Sequence, residues 1–250
     1  MIRRIHHVGI VVKRLADASR FYRDTLGLPL LKEADIVDQG VRAALLAAGE
    51  SEVELLEPLD PANGVGRFLA RRGEGLHHLC FETPDIKDTL RELKNRKVEL
   101  LDASPRAGLA GDIAFLHPQA CARVLVELAT PRDHVEPPPA PLRLKRLVIG
   151  ARDVGATAAV FQSLFGFSEV AMNGGPRTML AVGRGALLVV PAEEVGGTEG
   201  MVALSFVAED LTALYAAFDR AATRCLRGTG EVTVDPVSSH GVHLHISRYE

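Results

Sequence analysis

The chain has 250 residues, 47% of them hydrophobic and 24% charged, with a formal net charge of −3. That near-neutral balance, with no clustered basic surface, excludes nucleic acid as the main partner, and no apolar run nears the roughly 18 residues that span a bilayer, which excludes a membrane helix. The length suits one large domain or two of ordinary size.

In chain order, Ile5–Val12 reads as a strand, and Ala16–Leu26 has helical spacing that stops at Gly27, a good residue just past a helix end. Short β-like runs follow at Leu30–Val37, Val41–Ala47 and Glu52–Glu57, then a helix at Gly66–Arg72. The scheme restarts with a strand at Leu76–Glu82, and Pro84 is expected at the first helical position of "PDIKDTLRELKNRK". Strands at Val98–Leu101, Asp112–Leu116 and Arg123–Ala129 complete it. Strand, helix and three strands thus occur twice, which marks an internal repeat.

The stretch "TPRDHVEPPPAPLRL", residues 130 to 144, is the clearest break, because its prolines cannot join a helix and suit an extended linker. The expected organisation is a first module over residues 1–130, a Pro-rich linker at 131–143 and a second module over 144–250. "RLVIGARDVGATAAVFQSLFGF" from residue 146 can be laid on "HVGIVVKRLADASRFYRDTLGL" from residue 7, and "GMVALSFVAEDLTALYAAF" from 200 on "GLHHLCFETPDIKDTLREL" from 75. The expected fold class is α+β: tandem modules, each a pair of βαβββ units forming a curved mixed sheet around a cleft.

Two His-His doublets run straight into strands, in "RIHHVGIVV" and "GLHHLCFE". Successive strand side chains point to opposite faces. His6 therefore lies with Val8 and Ile10 on the apolar, helix-packed side, and His77 with Leu79 and Phe81. His7 and His78 take the other face, where Gly9 leaves room for a ligand. In the last strand of each repeat, Glu54 of "EVELLEP" and Glu127 of "RVLVELA" interrupt apolar runs. A carboxylate there is costly unless it is paired or coordinated. His7 to Glu54 is 47 positions (54 minus 7) and His78 to Glu127 is 49 (127 minus 78). Each repeat thus offers one imidazole and one carboxylate at the same structural place. Two of each suit a divalent first-row ion such as Zn, Ni, Co, Mn or Fe.

The aligned positions of the second module are Arg146, Leu188, Ala203 and His245, which make no such set. His240, His243 and His245 sit close in sequence there but lack a converging carboxylate. Cys80 reads as a small apolar filler, His117 as a residue of the cleft rim, and Arg71 and Arg72 as a solvated helix end. Cys80, Cys121 and Cys225 are far apart, with no C-x-x-C. They read as reduced thiols in a cytoplasmic protein, and the N-terminal residues lack a signal-peptide pattern.

The motifs "ELLEP", "GEGLHH" and "FLHP", together with "IHHVGIVVKRLADASRFYRDTLGL", give the chain a pattern that resembles the vicinal oxygen chelate (glyoxalase/bleomycin resistance/dioxygenase) superfamily. Residues 1–130 are similar to the methylmalonyl-CoA epimerases within it, whereas the second module is similar only at the level of the fold. The resemblance places metal ligands on His7, Glu54, His78 and Glu127. It implies a cobalt-like divalent ion, with Zn, Ni or Mn as other occupants, and an acyl-CoA thioester substrate. The implied reaction is inversion at the α-carbon by proton abstraction and a metal-stabilised enolate. Some relatives carry an acid shortly after the Gln-Gly-Val turn; here that stretch is Arg42-Ala43-Ala44, and the nearest acid is Asp38. Glu127 is the first candidate base, with Glu54 or Asp38 as the second proton-transfer group. Two other readings stand beside this one: a glyoxalase-type lyase acting on a thiohemiacetal with the same ligands, and a non-enzymatic small-molecule binder of the resistance type. An extradiol dioxygenase wants two His and one carboxylate with open positions, which Glu54 would crowd. The chain is expected to form a homodimer, or an intrachain pseudo-dimer from its two modules.

Overall fold

The computed structural model describes residues 2–132 and 136–249, so residues 133–135 of the expected linker lie outside the described residues. Five helices follow their local signals. α1 begins at Leu15, whose backbone N–H donates to the Glu57 carboxylate at 2.7 Å, and runs as an α-helix over Leu15–Ser19 and a π-helix over Arg20–Thr25. It ends where Gly27 takes φ +75°. α2 (Gly64–Arg72) is capped by the Asn63 side chain, which accepts from the Gly66 N–H at 2.7 Å. Aspartates cap the others: Asp85 before α3 (Ile86–Asn95), Asp153 before α4 (Val154–Phe165) and Asp210 before α5 (Leu211–Arg220).

The strands form two eight-stranded sheets of the same plan. The first contains β1 (Arg4–Val11), β2 (Leu30–Ile36), β3 (Val41–Ala48), β4 (Ser51–Pro58), β5 (Gly75–Glu82), β6 (Arg106–Gly108), β7 (Gly111–Leu116) and β8 (Val126–Thr130). Their order is β2-β3-β4-β1-β5-β8-β7-β6. The second contains β9 (Leu142–Ala151), β10 (Glu169–Val170), β11 (Thr178–Val182), β12 (Gly185–Pro191), β13 (Gly200–Ala208), β14 (Cys225–Gly228), β15 (Glu231–Val234) and β16 (His243–Ser247). Its order, β10-β11-β12-β9-β13-β16-β15-β14, repeats the first strand for strand. The fold is α+β with tandem modules, each built from two βαβββ units.

Three local expectations are corrected. Pro84 precedes α3 instead of starting it, because Asp85 is the cap and its carboxylate accepts from the Asp88 N–H at 3.0 Å. Val98–Leu101 is not a strand: Lys97 takes φ +59°, and Leu100 makes only an isolated bridge to Leu116. The edge strand is β6 instead. β8 cannot start at Arg123, since Ala122 and Arg123 both have left-handed backbone, at φ +49° and +68°, and the ladder begins at Val126.

Contacts gather the chain into two compact units that do not follow chain order. One comprises residues 1–7, 78–135 and 146–202, the other residues 8–77, 136–145 and 203–250. Inside the first, Phe81 of β5 packs on Phe165 and Phe167 with ring centroids 5.1 and 5.2 Å apart. The Arg96 guanidinium donates to the Leu164 and Ser163 carbonyls at 3.1 and 2.6 Å. Inside the second, the fully buried Tyr22 donates its hydroxyl to the Ser239 carbonyl at 2.9 Å, and His240 meets the Glu74 carboxylate at 3.0 Å. Each unit therefore shares one core between residues of both halves of the sequence.

Gly241 shows how tight that sharing is. Its φ is +80°, and a Cβ there would overlap the Glu74 carbonyl oxygen. Gly241→Ala is expected to destabilise the protein by about 3 kcal/mol, from backbone strain and the backbone clash together. Urea unfolding measures it; a change below about 0.5 kcal/mol would contradict the packing described.

Candidate metal centre

β1 and β5 deliver one imidazole each and β8 a carboxylate. The Nε2 atoms of His7 and His78 are 2.9 Å apart, and Glu127 Oε2 lies 3.3 Å from the first and 3.0 Å from the second. All three side chains are buried. β4 supplies Glu54, also buried, and one ligand atom from each of the four residues lies within 4.8 Å of the others.

The strand alternation is visible in the contacts. His78 sets its ring against Phe115 of β7 and against His7, with centroids 5.4 and 5.1 Å apart. Its neighbour His77 packs on Phe68 of α2 at 4.9 Å. The register places Cys80 opposite Glu127 across the parallel β5–β8 pair. Cys80 itself is fully buried in an apolar cluster with Ala110, Ile113 and Ala129, as expected of a filler. Its thiol also lies within 4.8 Å of ligand atoms on His6 and His7.

Two effects compete on Glu127. Burial acts to raise its pKa and is the largest single influence, but hydrogen bonding and charge from His7 and His78 together outweigh it, and the carboxyl is held below the usual carboxylate range. Glu127 is therefore an anion at neutral pH.

The donor set fits a divalent ion. Neutral imidazoles place at most one proton between the two Nε2 atoms, so the remaining lone pairs and the carboxylate converge on one spot. Ligands about 2.1 Å from one ion and at right angles to each other lie about 3 Å apart. The three observed separations, 2.9, 3.0 and 3.3 Å, match that spacing. Two imidazoles and two carboxylates suit a first-row divalent ion.

His6 is a residue that sequence reasoning placed only as core. Its Nδ1 shares a hydrogen bond with His7 Nδ1 at 2.9 Å, and its ring is buried. When His7 donates this bond, its Nε2 carries the lone pair toward the site. A buried polar ring beside a candidate ligand was the available signal, since it must find a partner. His6→Leu is expected to weaken divalent-ion affinity about 10–100-fold. Competition with a chromophoric chelator measures this; unchanged affinity would show that His6 does not orient His7.

The other candidates fall elsewhere. Asp38 is exposed on the 3-10 turn Val37–Gln39 and does not join the four converging groups. His117 caps a short 3-10 turn, accepting from the Gln119 N–H at 3.3 Å. Arg71 donates to the Arg67 carbonyl at 3.2 Å, and Arg72 lies 5.9 Å from the Phe68 ring centroid at an exposed helix end. In the second module, His245 pairs with Glu231 at 3.1 Å in an exposed setting.

Duplicated βαβββ units, with an imidazole and a carboxylate converging from each of two repeats, define a protein of the vicinal oxygen chelate type. Comparison with known proteins agrees. The glyoxalase/bleomycin resistance protein/dioxygenase superfamily profile matches residues 6–117. The mitochondrial methylmalonyl-CoA epimerase of Mus musculus is 35% identical over 127 residues, which is 50% of this chain and 71% of that protein. A variant of the Streptomyces coelicolor methylmalonyl-CoA epimerase, in complex with 2-nitronate-propionyl-CoA, is 37% identical with a TM-score of 0.51, covering 53% of this chain and 100% of that one. A mutant 4-hydroxymandelate synthase from Streptomyces coelicolor is only 16% identical but covers 98% of this chain and 92% of its own, with a TM-score of 0.72. That likeness shows the two-module fold alone. The chain belongs to the glyoxalase/bleomycin resistance protein/dioxygenase superfamily.

No described helix is long and apolar enough to cross a membrane.

Proposed function

We propose that this protein is a metal-dependent epimerase of a methylmalonyl-CoA-like acyl-CoA thioester. The observation that carries the reading is the convergence of His7, Glu54, His78 and Glu127 in a module similar to methylmalonyl-CoA epimerases. In this reading His7, Glu54, His78 and Glu127 hold the ion, with cobalt favoured by the resemblance. A bound divalent ion supplies Lewis-acid stabilisation of the negative charge that develops beside the α-carbon, worth several kcal/mol.

The chain's own groups handle the proton. Glu127, kept anionic by its two imidazoles, takes it from the α-carbon. Inversion requires a second group acting from the opposite face of that carbon. Glu54 is buried in the group, whereas Asp38 stands exposed on its turn, so Glu54, released from the ion and protonated, is assigned the return of a proton, and exchange with solvent between turnovers resets both carboxyls. Burial of all four side chains keeps bulk water from competing for the transferred proton.

The test is solvent exchange. One enantiomer of methylmalonyl-CoA, incubated with the protein in D2O, should gain α-deuterium and racemise. Chelation should stop both processes, and added cobalt should restore them. Turnover of a thiohemiacetal without α-exchange on the thioester would establish the lyase reading instead. Tight binding without turnover of either substrate would establish a binding protein.

A further inference from the structure

The second module holds one side chain that its surroundings do not account for. β11 pairs with β12 and β12 with β9 in a register that sets Leu180, Leu187 and Leu147 in one row, all fully buried on the core face. One residue along each strand, Ala181, Ala186 and Arg146 form a row on the opposite face. Met179, Leu188 and Val148 form the next row on that same face. Arg146 is thus the one charged side chain among these six positions.

Its state is unusual. The Nε atom is buried and has no hydrogen-bond partner. Burial alone pulls the guanidinium below its ordinary pKa, with no carboxylate acting to raise it. An unpaired buried donor is disfavoured, and native proteins nearly always satisfy such groups with protein, water or ligand. The position is not arbitrary either. Arg146 lies eight residues before the start of α4 at Val154, as His7 lies eight before the start of α1 at Leu15. It therefore occupies, in the second module, the place of a candidate metal ligand in the first.

We propose that Arg146 is the recognition group of a second, metal-free ligand site on this face of the β9–β12–β11 half-sheet, which takes the carboxylate of a small organic acid with an apolar tail. A planar guanidinium can pair with a carboxylate through two parallel N–H···O bonds from its terminal nitrogens. One cation matches one negative charge. Its row neighbours Ala181 and Ala186 have small side chains, and Met179, Leu188 and Val148 of the next row match the apolar tail in character. A phosphate dianion would bring more charge and more acceptor oxygens than this face has donors. The site does not depend on the activity proposed for the first module.

Thermal unfolding of the full-length protein with sodium butyrate tests it, against sodium chloride and inorganic phosphate at equal ionic strength. Butyrate should raise the melting temperature saturably, and the two controls should not. A His78→Ala chain should respond equally, which separates this site from the centre in the first module. Arg146→Met keeps the apolar stem and removes the charge. It should unfold at the same temperature as the wild type or higher without ligand, and should lose the butyrate response. Arg146→Lys should weaken butyrate at least tenfold by calorimetry. A butyrate response no greater than that to phosphate or chloride would overturn the proposal, as would one retained in Arg146→Met or lost in His78→Ala. A lower melting temperature for ligand-free Arg146→Met would also overturn it, since the guanidinium would then be satisfied within the protein.

Discussion

Glu127→Gln is expected to lower epimerase turnover roughly 10²–10⁴-fold, the usual range for loss of a positioned proton-transfer group. The amide matches the carboxylate in shape but cannot accept the α-proton, and it withdraws the negative charge that faces both imidazoles at 3.3 and 3.0 Å. The fall corresponds to about 3–5 kcal/mol of barrier. It should appear in kcat with KM little changed, because the lost interaction acts in the transition state and not in substrate binding. Glu54→Gln should behave similarly. Asp38→Asn, altering an exposed turn residue, should stay within about twofold of wild type, as surface changes remote from a site usually do. Steady-state kinetics on the three variants decides the assignment. A collapse in Asp38→Asn with Glu54→Gln unaffected would move the second proton-transfer role to Asp38.

The second large effect is on stability. Two Nε2 atoms face each other at 2.9 Å beside a buried carboxylate. Only one of the two imidazoles can donate along that line, and protonating both would place like charges in contact. A ligand that binds only the folded state at a hundred to a thousand times its Kd adds about 2.7–4.1 kcal/mol. For a chain of this size each kcal/mol is worth about 2–4 °C, so saturating cobalt should raise Tm by roughly 5–16 °C. His78→Ala removes one donor and should abolish the rise. An equal rise in that variant would mean that the ion binds elsewhere.

Much of this arrangement is legible in the chain because it depends on strand alternation. His7 and His78 could be separated from His6 and His77 by face, and Glu54 and Glu127 stood out as carboxylates in apolar runs. The repeat then brought four separate candidates to equivalent places. What could not be read depends on backbone conformation or on contacts distant in sequence. The left-handed Lys97, Ala122 and Arg123 interrupt runs whose side chains look strand-like. α1 widens into a π-helix at Arg20, a change that hydrophobic spacing does not distinguish from an ordinary helix. Alternation puts His6 in the core, yet adjacent rings on opposite faces still meet through their Nδ1 atoms. The sharing of cores between the two halves rests on pairs such as Phe81 with Phe165 and Tyr22 with Ser239, which no local pattern encodes.

In the function proposed above, one cation is held by side chains of the first module. Metal analysis of the cobalt-reconstituted full-length chain, with X-ray absorption at the bound ion, tests it most directly. The expected result is one tightly held ion per chain, two imidazoles in its coordination shell, and loss of that ion in His78→Ala. A chain that retains no ion, or a His78→Ala variant that holds it as firmly as wild type, would contradict it.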